Sequence, residues 1–366
     1  MGILKREVVE ELEPVEREQA EQPHPAVARP AAHLGEVEHE VRSGENQARA
    51  DDGEHQRQRA EGDRLQRRFG GSFAAREAAV SCMAFALSTQ RAMVIPTAVM
   101  PYIWHPMPTA MQFATMAEAA PGRVGICVSV GNLLNLRESG VPHPEKPVRV
   151  IREYVEALRA LWNGETVDQE GLIWQLRGAR LAFKPPKPIP IFVASTGPQV
   201  LGLAGRIADG VLYSGGLSLA SIKKCADFAD IGIAKAGRHP SEVRKAGFVY
   251  FACSKNGSDA VEANRRKIAF LFRNSAQADN IASVGIPIDH EAIIELVKAR
   301  KLEDAAKLIP PEAVTQFTVA GTPDQCREQL QAYIDAGVEE PVIEVSGTEE
   351  EKALALEVIQ EFTAGR

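Results

Sequence analysis

From about residue 74 onward the chain alternates short, strongly apolar runs with longer segments of helical period. Apolar positions three and four residues apart predict amphipathic helices over 74–89, 107–119 and 145–162, the last with Val148, Ile151, Val155, Leu158 and Leu161 on one face. Further helices are expected over 219–236, up to about Leu308, over 323–336 and over 349–362. Between them lie six runs too apolar for a strand with one wet face, at 93–99, 124–130, 189–194, 210–213, 246–254 and 341–345. Pro96 interrupts the first of these and predicts a bulge. Residues 164–183 alternate apolar and polar positions around Gly171 and Gly178, the pattern of a small hairpin. Strand and helix in regular alternation predict an α/β fold with a parallel sheet. The six strands are two short of an eight-stranded (β/α) barrel; a doubly wound sheet is the alternative, but no G-x-G-x-x-G turn opens a helix after a first strand.

Residues 1–70 break the pattern. They are crowded with Glu, Arg, Gln and His around single Val and Leu residues and hold no useful periodicity, so the chain is expected to divide into an atypical charged segment, 1–70, and a barrel domain, 71–366. At 366 residues and 45% hydrophobic content the chain can bury a large core. Its formal net charge of −7 argues against non-specific nucleic-acid binding. The absence of an apolar run long enough to span a membrane, and a charged N-terminus, predict a cytoplasmic protein without a membrane partner. Five widely spaced cysteines without a C-x-x-C pair predict reduced thiols, and no metal site is expected.

The stretch 180–216 reads as strand, helix, strand, with small residues at both strand ends: Ser195-Thr196-Gly197-Pro198 and Ser214-Gly215-Gly216. Such turns are either merely tight or allow a ligand to approach the backbone, and Pro198 suits the first turn of a helix whose N-terminus can receive an anion. Here the chain resembles the bacterial-luciferase-like superfamily of flavin- and deazaflavin-dependent oxidoreductases, in the branch similar to methylenetetrahydromethanopterin reductase. The resemblance is carried by PIPIFVASTGPQVLGLAGRIADGVLYSGGLS, by MPYIWHP at 100–106, by VAGTPDQC at 319–326 and by GETVDQEGLIWQLRGARLAF at 164–183, and it covers about 74–366. It implies a (β/α)8 barrel of the luciferase-like kind, here lacking its first βαβ segment. In the family that segment occupies about as much chain as residues 1–70. These residues are therefore either a disordered or loosely helical extension or the product of a wrong reading frame or start upstream of about Phe69. The match in length favours the second reading, and a strand-like run in another upstream frame is the observation it requires.

The resemblance also implies where the ligand sits. A flat FMN or coenzyme F-420 ring is expected at the carboxyl ends of the strands, backed by Thr97, Ala98 and Val99, where family members carry a bulge and often a non-proline cis peptide. Gly131 and Asn132 are expected beside the ring or its chain. Ala194, Ser195, Thr196 and Gly197, with Ser214, Gly215 and Gly216, are expected at the chain and phosphate. His105 is a candidate for proton transfer or simply shapes a helix start; Tyr102 and Trp104 either wall a substrate pocket or pack on a neighbouring loop. Asp209 reads as structural, and Lys223 and Lys224 as a solvated helix face more than a phosphate contact. The implied activity is hydride transfer between the bound cofactor and a small organic substrate, by a homodimer or higher homo-oligomer. The alternatives are a flavin monooxygenase using dioxygen, an inactive paralogue without cofactor, and a hydrolase or isomerase on the same barrel. Replacing Gly197 or Gly215 by valine is expected to abolish cofactor binding with little loss of fold.

Overall fold

Several helices begin where proline's fixed φ and missing amide proton suit a first turn, as at Pro106, Pro147, Pro198 and Pro323. The computed structural model describes residues 77–141 and 145–364, all in the compact unit Arg68–Arg366; the expectations for residues 1–70 lie outside the described residues. The chain runs α1 (Ala78–Ser88), β1 (Thr97–Val99), α2 (Pro106–Ala119), β2 (Ile126–Ser129), α3 (Leu133–Glu138), α4 (Pro147–Trp162), β3 (Val167–Glu170) and β4 (Gln175–Ala179). It continues with β5 (Ile191–Ser195), α5 (Pro198–Ile207), β6 (Gly210–Tyr213), α6 (Leu219–Lys235), β7 (Arg244–Cys253) and α7 (Ser258–Leu271). Four short helices follow: α8 (Ala278–Ala282), α9 (His290–Lys298), α10 (Leu302–Lys307) and α11 (Pro311–Phe317). The chain ends with β8 (Val319–Gly321), α12 (Pro323–Asp335), β9 (Glu340–Ser346) and α13 (Glu349–Ala364).

The main sheet is parallel throughout, in the order β1, β2, β5, β6, β7, each strand lying beside the next one the chain supplies. Long β7 pairs β6 through its first residues, β9 through Ala246–Ala252 and β8 through its last three. This is (β/α)-barrel order. The six expected strands are present as β1, β2, β5, β6, β7 and β9, and among the described residues the sheet stays open between β1 and β9. β3 and β4 form the expected antiparallel hairpin.

Period two sorts the side chains to two cores. Ile126, Val128, Ile191, Val193, Val211, Val249 and Phe251 point outward under the helices. Cys127, Phe192, Leu212 and Ala246 point inward, with Ile95, Ala98 and Ala194 packed against them. Residues of α7 to α11 close a third core of their own around Ile268, Phe272, Ile293, Val314 and Phe317. Two expectations need amendment. The strand predicted over 93–99 shrinks to β1 with one isolated bridge at Val94, because Pro96 breaks the ladder. Short α3, α11 and β8 were not foreseen, being too brief to carry a periodic signal.

Candidate active site

Parallel strands all end at one face, so the turns after them converge, and here they enclose a cleft of about 1200 Å³. Its floor and rim include Thr97 and Ala98 of β1, Gly131 and Asn132 after β2, Ala194, Ser195 and Thr196 at the end of β5, and Ser214 and Gly215 after β6. The peptide bond between Thr97 and Ala98 is cis. Val99 is buried in the outer core behind this floor, Gly197 caps α5, and Gly216 lies just behind the rim with its carbonyl turned to Asn280.

Local chemistry holds each turn. Gly131 has φ +93°, and a Cβ there would meet the Met100 side chain. Asn132 Oδ1 accepts the Leu134 amide at 2.9 Å and so starts α3. Ser195 Oγ accepts the Gly197 amide at 3.1 Å, whereas no side chain caps α5, which leaves first-turn amides of that helix beside Pro198 on the cleft wall. After β6 the loop is pinned from outside by buried Asn280, whose Nδ2 donates to Gly216 O at 2.8 Å and whose Oδ1 accepts the Ser218 amide at 3.0 Å.

The far wall was not foreseen. Phe248 and Tyr250, inward residues of β7, meet edge to face at 5.3 Å. Lys267 of α7 holds its Nζ 4.8 Å from the Tyr250 ring centre, 2.6 Å from Glu344 Oε1 and 2.8 Å from Ser346 Oγ. Burial, and Glu344 after it, push the Tyr250 hydroxyl well above the ordinary tyrosine range. Under the floor, burial pushes the Cys127 thiol up to about 12, against opposing hydrogen bonds from Thr97 and the Ala194 backbone. Phe248, Tyr250 and Glu344 were legible in principle, since strand parity puts alternate residues of β7 and β9 inside. Lys223 and Lys224 are both exposed, and Lys224 also lines the cleft.

Three predicted residues stand elsewhere. His105 is the N-cap of α2, its Nδ1 accepting the Met107 amide at 3.2 Å. With Tyr102 it lines a separate hollow of about 490 Å³ against Leu172, Ile173 and Trp174. Tyr102 donates its hydroxyl proton to Glu145 O at 3.0 Å, and burial raises its pKa to about 12. Trp104 packs half-buried on the main core. Asp209 is structural as expected: its Oδ2 accepts from the Ile191 amide at 2.8 Å and from Arg159 Nη2 at 3.0 Å, at the amino end of the sheet. Among the described residues no His, Cys, Asp and Glu group suits a metal ion, and no helix is long and apolar enough to cross a membrane.

The profile of the family described as luciferase-like monooxygenase matches residues 60–340. The 5,10-methylenetetrahydromethanopterin reductase of Archaeoglobus fulgidus is 29% identical over 265 residues, 70% of this chain and 78% of that protein. The F-420-dependent glucose-6-phosphate dehydrogenase of Nocardia farcinica is 32% identical over 260 residues, 69% of this chain and 72% of that protein. Among solved structures, the coenzyme F-420-dependent tetrahydromethanopterin reductase of Methanopyrus kandleri superposes with a TM-score of 0.71 at 24% identity, over 79% of this chain and 87% of that one. The oxygenating constituent of 3,6-diketocamphane monooxygenase of Pseudomonas putida, in complex with FMN, gives a TM-score of 0.60 at 19% identity, over 77% and 82%. At such identities the superpositions speak for the fold.

Proposed function

Because the chain belongs to the luciferase-like monooxygenase family, we propose that it is an oxidoreductase that moves a hydride between FMN or coenzyme F-420 and a small organic substrate. The observation that carries this reading is the cleft itself. It is large enough for a tricyclic ring, and Ala98, Ala194 and Gly215 keep its floor free of bulky side chains. Hydroxyls of Ser195, Thr196 and Ser214 and the uncapped first turn of α5 offer a donor set of the kind a phosphate needs. The residues therefore suit a phosphorylated, flat cofactor.

When bound, that group supplies the redox chemistry. The chain's part is to hold and shield. Thr97 and Ala98 back the ring, Gly131 and Asn132 border it, and the turn at Ser195–Gly197 takes the phosphate. Phe248 and Tyr250 form an apolar wall that excludes water. The similarity to a methylenetetrahydromethanopterin reductase, and to a dehydrogenase named for coenzyme F-420, supports turnover without dioxygen. Titration of the full chain with FMN and with coenzyme F-420 tests the reading by thermal unfolding. One of them is expected to raise the melting temperature, since ligand at a hundredfold excess over Kd stabilises by about 2.7 kcal/mol. If neither does, the oxidoreductase reading fails; a strict dioxygen requirement in turnover would convert it to a monooxygenase.

A further inference from the structure

α7 has two unlike faces. Asn264, Ile268, Ala269 and Phe272 are buried on one side, the last three in the core of the helical insertion. Arg266 and Phe270, four residues apart, stand on the side that lines the cleft, and Arg273 in the turn just after the helix lines it with them. Lys224, in the second turn of α6, lines it too. The carboxylates lining the same cleft are Asp279 and Glu344, and Glu344 is engaged by Lys267 at 2.6 Å. A chain of formal charge −7 thus concentrates cations in its main cleft.

Among the described residues, two of these cations have no carboxylate at ion-pair distance, Arg273 and Lys224. Arg273 stacks on Phe270, its guanidinium carbon 3.6 Å from the ring centre, and donates from Nη1 to the Phe270 carbonyl at 2.7 Å. That holds the fork in place and leaves its other donors without a partner among the described residues. Partial burial works against its charge, with Glu138 acting weakly in its favour, so an anion would relieve a standing cost. Lys224 has no ion-pair partner among the described residues. Arg266 pairs with Glu303 at 3.0 Å, but both side chains are about two-thirds exposed, at 64% and 68%, and such a pair exchanges readily for a better one.

We propose that Arg273, Arg266 and Lys224 bind a phosphate or carboxylate of the substrate, so that the substrate of the oxidoreductase reading, on which this rests, is an anion. The cofactor phosphate is read at the β5 turn, whereas α7 follows β7, two strands along the sheet and roughly 10 Å away. The row is therefore placed for a second anionic group. A planar guanidinium on an aromatic face suits bidentate capture of either oxyanion.

Calorimetric titration of the full chain with inorganic phosphate, with and without saturating cofactor, tests this. Phosphate is expected to bind in both states, and Arg273→Gln and Lys224→Gln each to weaken it about tenfold while cofactor Kd and melting temperature stay unchanged. Arg273→Lys should keep part of the affinity, and Arg91→Gln, on the surface, all of it. Because the β5 turn also takes phosphate in the unloaded chain, the loaded chain decides: the proposal is overturned if phosphate shows no saturable binding there, in which case the cations serve the cofactor, or if both variants bind it as the wild type does. Failure of both cofactors to bind would instead remove the oxidoreductase reading, and the substrate assignment with it, while the share of phosphate binding that Arg273→Gln and Lys224→Gln remove from the unloaded chain still reports on the anion site.

Discussion

Gly197 and Gly215 stand on the same rim and answer differently to a side chain. A Cβ on Gly197 would lie 3.7 Å from Ser195 Oγ, in ordinary contact, whereas one on Gly215 would fall within 3.0 Å of both the Phe248 and Tyr250 rings. Gly197→Val is therefore expected to weaken cofactor binding at least tenfold with an unchanged melting temperature. Gly215→Val is expected to lose about 1–3 kcal/mol of stability as well, by forcing the aromatic pair apart, which denaturant unfolding would measure. The space around each position therefore supports sparing of the fold at Gly197 and opposes it at Gly215. His105 is a second case where geometry separates two roles. As an N-cap it contributes about 1 kcal/mol, so His105→Ala is expected to lower stability, His105→Asn to restore it, and neither to move cofactor affinity. A change in cofactor Kd with either variant would return His105 to the site.

At the scale of elements, α5 and α6 meet backbone to backbone. A Cβ on Gly205 would collide with the Ala229 carbonyl, and one on Gly232 with the Gly202 carbonyl, so the helices can lie this close only with glycine at both crossings. Both helices also carry the turns after β5 and β6 toward the cleft. Gly232→Ala is expected to cost about 1–3 kcal/mol or more and to weaken cofactor binding in parallel; a variant with wild-type stability would mean that the helices separate freely. The strands were legible because period two and buried β-branched runs leave few alternatives, and the strand ends followed, so Thr97, Gly131, Asn132, Ser195 and Ser214 could be named beforehand. α7 was not legible as a site element. Its Arg266, with Phe270 beside it and Arg273 in the turn just after the helix, reads in sequence as a face toward water; only the return of the chain over the sheet turns it toward the cleft. Lys224 is exposed, as a solvated helix face requires, and lines the cleft as well. His105, Tyr102 and Trp104 were drawn in by their place after a strand end, but the loop turns away and spends them on a cap and on packing.

For the whole molecule, the buried titratable groups give a pH dependence whose direction can be derived. The five cysteines are free thiols, four of them buried. Burial raises Cys82 and Cys127 from 9.0 to about 12, Cys225 from 9.0 to about 11 and Tyr102 from 10.0 to about 12. Below the ordinary thiol pKa of 9.0 both folded and unfolded chains hold these protons, and their contribution to stability is fully present. Above it the unfolded chain releases protons that the folded chain retains, so unfolding grows more favourable with pH until the folded groups titrate as well, near 11 to 12. Urea midpoints are therefore expected to fall steadily between about pH 9 and about pH 11. Cys127→Ser tests the thiol share: a serine hydroxyl does not titrate in this window, so the alkaline slope should flatten although stability near pH 8 drops from the lost packing. An unchanged slope in that variant would assign the alkaline loss to surface charge. Because Cys127 lies beneath Thr97 and Ala194, the same measurement reports whether the floor of the cleft stays dry when the chain is otherwise folded.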